Sequence, residues 1–192
     1  MAEIWLVRHA RPVIAAGTCY GRLDVAADSQ ATWQAATALA QAIPAGFRLV
    51  TSPLQRCVQL AGDIGRLRPD IPQCRDSRLA EMDFGDWEGR LWTDLGASAL
   101  AQWTADFAGF APGGGETVKS FMDRVAEALE AWRRQDTVWI THAGVIRAVS
   151  LLSAGRREVR SAEEWPSGEI GFGSFTVFRS PVVHPGPTDT KG

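Results

Sequence analysis

Residues 3–10 read Glu-Ile-Trp-Leu-Val-Arg-His-Ala, and this stretch decides the fold. Ile4, Trp5, Leu6 and Val7 form a short, continuous apolar run. Such a run reads as a strand buried on both faces, the kind found in parallel sheets covered by helices. It stops abruptly at Arg8 and His9, and Arg11 follows two residues later. In open α/β sheets, ligands bind beyond the carboxyl ends of the strands. A buried strand that ends in Arg-His therefore carries a cation and an imidazole to the place where a ligand would sit.

Downstream, a polar, glycine-containing loop leads to Asp28, a suitable N-cap. Trp33, Ala36, Thr37, Leu39, Ala40 and Ile43 then recur at helical spacing until Pro44 and Gly46 stop the run. FRLVTS (47–52) reads as a second strand. Pro53 suits the first turn of a helix that continues through LQRCVQLAGDIGRL (54–67), with Leu54, Val58, Ala61 and Ile64 on one face. Residues 68–77 loop towards a short extended segment. LAEMDFGDWEGRLWTDL (79–95) opens a region holding Trp87, Trp92 and Trp103, helical from about Leu91 and broken by APGGG (111–115). An amphipathic helix starts at Thr117, a buried strand occupies TVWIT (137–141), and AGVIRAVSLLSAG (143–155) is a helix ending at Gly155. GEIGFGSFTVFR (168–179) supplies one or two final strands. This alternation predicts a three-layer α/β/α sandwich with a largely parallel central sheet. The predicted organisation is one domain over 1–180, a small lid insertion over 78–116, and a loose tail over 181–192.

The chain has 192 residues, 45% hydrophobic and 22% charged, with a net charge of −2. No Lys/Arg block stands out, which argues against nucleic acid or a membrane surface as partner. No stretch approaches the length of a membrane span and no leader is recognisable. Cys19, Cys57 and Cys74 read as reduced thiols of a cytoplasmic protein. His9, His142 and His184 lack the close His/Cys/acid spacings of a metal site, so neither a metal nor another cofactor is expected. APGGGET (111–117) lacks the phosphate-loop pattern. It reads as a hinge and helix start, with Glu116 and Thr117 serving the helix N-terminus.

Two strand ends carry histidine, LVRHA at His9 and WITHAG at His142. A third leads into TSPLQR, which puts Arg56 in the first turn of the next helix, and the segment near 78–81 supplies Glu81. If these ends share one rim, Arg8, His9, Arg56, His142 and Glu81 converge. Two guanidinium forks suit phosphate oxygens, and the helix after His142 adds backbone N–H donors. Asp83, Asp86 and Glu88 are rival acids to Glu81.

In these segments the chain resembles the histidine phosphatase superfamily (phosphoglycerate mutase-like). RHA matches its Arg-His-Gly signature with Ala10 for Gly. SPLQRCVQLA is similar to its Ser-Pro-Leu-x-Arg segment, LAEMDFGDWEG to its Leu-x-Glu-x-x-Phe-Gly-x-Trp-Glu-Gly segment, and THAGVIRAV to its Ser/Thr-His-Gly-Gly-Val-Ile-Arg segment. The resemblance implies a metal-independent enzyme in which neutral His9 attacks phosphorus and forms a phosphohistidine. It places Arg8, Arg56 and a protonated His142 on the phosphoryl oxygens, and makes Glu81 the proton donor to the leaving alkoxide. CYGRLD (19–24) puts Tyr20, Gly21 and Arg22 near the substrate, with Asp24 a bonded loop acid. Arg11 and Ala143 are further candidate contacts. Arg11 and Ala15 replace an acid and an asparagine common in the family, which removes one polar phosphoryl contact. The implied activity is hydrolysis of a small phosphorylated metabolite, closest to the α-ribazole phosphatase-like branch and so α-ribazole phosphate itself. Phosphoglycerate mutase-type transfer and a non-catalytic phosphate-ester-binding module are the alternatives.

Overall fold

The computed structural model describes residues 2–179; the predicted tail over 181–192 and His184 lie outside them. Five strands form one sheet in the order β3-β2-β4-β1-β5. They are β1 (Glu3–Arg8), β2 (Arg48–Thr51), β3 (Gln73–Arg75), β4 (Thr137–Thr141) and β5 (Phe175–Arg179). The first four run parallel, and β5 pairs antiparallel with β1 as one final strand. Among the described residues no helix is long and apolar enough to cross a membrane.

Alternation along the strands builds the three layers. Trp5, Val7, Leu49, Val138 and Ile140 face α1 (Ser29–Ala42) and α2 (Gln55–Leu67). Ile4, Leu6, Val50 and Trp139 face α4 (Val118–Trp132) and α5 (Ala143–Ser153). Asp28 caps α1, its side chain accepting the Ala31 N–H. Trp33 does not join the α1 core; it is 47% exposed, and Thr32, Ala36 and Leu39 are buried instead. Pro53 lies ahead of α2, whose N-cap position is Leu54, and the Asp24 carboxylate accepts the Gln55 N–H there.

The 78–116 region is less helical than its sequence suggests. Only α3 (Ala97–Ala105) is an α-helix, because Gly96, at φ +81°, breaks the chain after a single 3₁₀ turn at Trp92–Asp94. Trp87, Trp92, Trp103, Phe84 and Phe110 pack with Cys19 and Leu95 in a satellite core. The glycines of 111–115 do not form an open hinge. Gly113, at φ +60°, and Gly115 press against the backbone of Asp83–Trp87, where a Cβ on either would collide with main-chain atoms. Thr117 caps α4 by accepting the Ser120 N–H, whereas Glu116 turns away to pair with Arg124.

Candidate active site

Register brings the strand ends together. Arg8 is opposite Thr141 and Thr51 is opposite Ile140, so His9, Ser52 and His142 leave the sheet side by side. The Thr141 carbonyl accepts the His9 N–H at 3.0 Å, and the Ile140 carbonyl accepts the Ser52 N–H at 2.9 Å. The His9 and His142 rings stand 5.2 Å apart between centroids. The Thr141 hydroxyl donates to the Leu79 carbonyl at 2.7 Å and ties the segment carrying Glu81 to the same rim.

A cavity of about 380 Å³ opens there, and Arg8, His9, Tyr20, Glu81 and Gly144 line its polar side. His9 is 2% exposed, and its Nδ1 lies 2.7 Å from the Ala10 carbonyl. A carbonyl can only accept, so Nδ1 carries the proton and Nε2 keeps its lone pair. Burial first, then the charges of Arg56 and Arg8, push His9 down to about 3. Its ring is therefore neutral at ordinary pH, with the Nε2 lone pair free. Glu81 Oε2 accepts the Gly144 N–H at 3.0 Å and Oε1 that of Met82 at 3.1 Å, which holds the carboxyl at the N-terminus of α5.

Arg56 and His142 are fully buried beneath this cavity. Arg56 donates from Nε to His142 Nδ1 at 3.3 Å and from its terminal nitrogens to the Leu23 and Gly21 carbonyls at 2.9 and 2.6 Å. Because His142 Nδ1 accepts, its Nε2 carries the proton and donates to Ser52 Oγ at 2.8 Å. Burial, then Arg56, then His9 hold His142 well below the ordinary imidazole range. His142 is thus neutral, which corrects the protonated ring expected from the sequence: a sealed imidazole beside a guanidinium is a poor place for a second cation.

The remaining candidates divide. Tyr20 lines the cavity and stands over Arg56, its ring centroid 5.4 Å from the guanidinium carbon. Gly21 makes its close approach to Met82, Phe84 and Glu88, with its carbonyl turned to Arg56. Arg22 is exposed beside a different depression, with Pro53 and Arg78. Arg11 is exposed and, like Ala143, is not part of the cavity wall, where Gly144 stands instead.

Three residues with structural roles at the site escaped sequence reasoning. Glu88 accepts four backbone N–H groups, from Gly21, Arg22, Leu23 and Phe84, at 2.7–3.0 Å, and so fastens the Tyr20 loop to the 84–88 turn. Arg124 of α4 donates to the Arg78, Ala80 and Glu81 carbonyls at 2.7, 2.8 and 3.0 Å while pairing two of its nitrogens with Glu116. Arg147 lines the cavity three residues beyond Gly144 on α5. Arg147 and Glu88 stood in view as the arginine closing THAGVIR and the acid of DWEG, without a role; no local pattern marks Arg124.

This architecture, with a neutral imidazole, a carboxyl group and buried guanidinium groups at the carboxyl edge of a parallel sheet, supports a phosphoryl-transfer enzyme working through a phosphohistidine. The chain belongs to the histidine phosphatase superfamily (branch 1), whose sequence model matches residues 4–169. It is a histidine phosphatase; among the described residues no three or more His, Cys, Asp or Glu side chains group together as a metal site would need. It is 32% identical over 172 residues to the adenosylcobalamin/α-ribazole phosphatase of Salmonella typhimurium, covering 85% of this chain and 83% of that one. It is 29% identical over 188 residues to the glucosyl-3-phosphoglycerate phosphatase of Mycolicibacterium vanbaalenii, covering 88% and 80%. Among solved structures, a mycobacterial glucosyl-3-phosphoglycerate phosphatase superposes with TM-score 0.77 at 22% identity, covering 92% of this chain and 89% of that one, which speaks for the fold alone. A Thermus thermophilus protein superposes with TM-score 0.70 at 30% identity, covering 94% and 97%.

Proposed function

We propose that this chain hydrolyses a small-molecule phosphomonoester in two steps, with His9, Glu81 and Arg8 at the reacting atoms. The His9 Nε2 lone pair attacks phosphorus. The bond to the leaving oxygen breaks, and that oxygen takes a proton from Glu81. Glu81 then removes a proton from water, which attacks the phosphohistidine, releasing inorganic phosphate and restoring His9. Arg8 neutralises the equatorial oxygens at the cavity wall. Arg56 adds positive field from below with the two N–H groups it has not committed to protein acceptors. His142 acts through its bond to Arg56 Nε, which fixes the guanidinium plane. The tautomer of His9, locked by the Ala10 carbonyl in a cavity shared with Glu81, carries this reading.

α-Ribazole phosphate is the first substrate we assign, supported by the Salmonella relative. The mycobacterial relative supports glucosyl-3-phosphoglycerate as the second. A metal-free hydrolysis screen over both compounds, sugar phosphates and nucleotides tests the assignment, with His9→Ala as the blank. Turnover of α-ribazole phosphate at least tenfold above the others is the expected result. Comparable phosphate release by His9→Ala would remove the mechanism.

A further inference from the structure

Much of the lining of the cavity takes no part in phosphoryl transfer. Besides the reacting groups its lining is largely aromatic, with Phe84, Trp92, Trp103, Phe107, Phe121 and Trp165, and it holds Arg147. Trp92 and Trp103 stack nearly parallel, at 11° with centroids 6.3 Å apart, and Trp103 stacks on Phe107 at 21° and 5.5 Å, so the rings that line the cavity also brace one another. Among the described residues Arg147 spends only one bond on the protein, from a terminal nitrogen to the Gly168 carbonyl at 3.0 Å. Burial and the Arg8 charge both press against its cation, while the Glu81 charge supports it.

Position says what this part of the cavity meets. Glu81 marks the side from which the alcohol departs, because it protonates the leaving oxygen. Whatever that oxygen is attached to continues along α5 from Gly144 towards Arg147. We infer that this part of the cavity is a leaving-group subsite selecting phosphomonoesters whose alcohol carries an aromatic or apolar body and an anionic group that pairs with Arg147. The inference rests on the phosphatase reading and adds the chemical class of the alcohol. Arg147 is a specificity determinant here rather than a further ligand of the phosphoryl group.

Three esters with alkyl-type leaving groups separate these terms: ethyl phosphate, benzyl phosphate and 4-carboxybenzyl phosphate. With the wild-type enzyme, kcat/KM rises at each step, about tenfold or more for the ring and about tenfold for the carboxylate, the scale of one buried aromatic ring and one charge-assisted hydrogen bond. Arg147→Met collapses the ratio of carboxybenzyl to benzyl ester towards one, and Arg147→Lys keeps much of it. If the wild-type enzyme turns over all three alike, the subsite is refuted while the phosphatase reading stands. If it turns over none, both fall. An equal loss on all three esters in Arg147→Met assigns Arg147 to the phosphoryl group and refutes the inference. The wild-type order tests the aromatic half whether or not the variant folds.

Discussion

At the residue scale, the decisive fact is that His9 is buried, neutral and tied at one nitrogen. Histidine NMR over pH 8 to 5 should show both the His9 and the His142 rings staying neutral, since both are held below the ordinary imidazole value. A ring at either position that titrates near 6.5 would contradict the proposed charge state of the site. Glu81→Gln should lower kcat on alkyl phosphates about 10²–10⁴-fold and cost much less on p-nitrophenyl phosphate, whose leaving group needs little protonation. An equal loss on both esters would mean that Glu81 does not serve the leaving oxygen. Glu88→Gln sets an amide NH₂ against two backbone N–H donors in place of a carboxylate oxygen. The variant should lose about 2 kcal/mol or more of stability in urea denaturation. The convergence of His9, Arg56, Glu81 and His142 was legible because each sits at the end of a strand or in the segment that follows one. Glu88 read only as a rival acid, because its four partners come from two loops and only the folded chain brings them together.

At the element scale, the strands were readable and the 78–116 region was not. Residues 3–8, 48–51 and 137–141 are apolar on both faces, a pattern that leaves little choice but a covered parallel sheet. Between 78 and 116 the backbone is set by tertiary contact: Gly85 and Gly113 allow two main chains to touch, and tryptophans that suggest a helix pack as a satellite cluster. Helix α4 does more than cover the sheet, for Arg124 fixes the carbonyls of Ala80 and Glu81. Arg124→Met should therefore impair the positioning of the acid. We expect kcat on an alkyl phosphate to fall at least tenfold more than kcat on p-nitrophenyl phosphate, with the unpaired Glu116 also lowering stability. Equal losses on the two esters would show a merely structural role.

At the scale of the whole molecule, stability and function draw on the same buried histidines. The unfolded chain protonates both below about pH 6.5, whereas the folded chain resists, His9 until about pH 3. The unfolded state thus binds more protons across that window, and stability present above about 6.5 is lost as pH falls, by about 1.4 kcal/mol per pH unit for each proton. Urea midpoints for the wild-type protein should fall with pH more steeply than those of His9→Asn between pH 6 and 4; identical slopes would contradict the shift at His9. The layered fold followed from the alternation of strand and helix patterns. The neutral state of His142 did not, because it depends on Ser52, Arg56 and Cys57 closing around one ring from a neighbouring strand end and helix.

The central claim is a phosphorus–nitrogen bond at one imidazole. Mixing the enzyme with excess p-nitrophenyl phosphate, quenching in base within milliseconds and mapping phosphorylated peptides by mass spectrometry tests it directly. A base-stable, acid-labile phosphoryl group on residue 9, absent from His9→Ala, is the predicted result. Hydrolysis that proceeds with residue 9 unmodified, or with the adduct on another side chain, would contradict it.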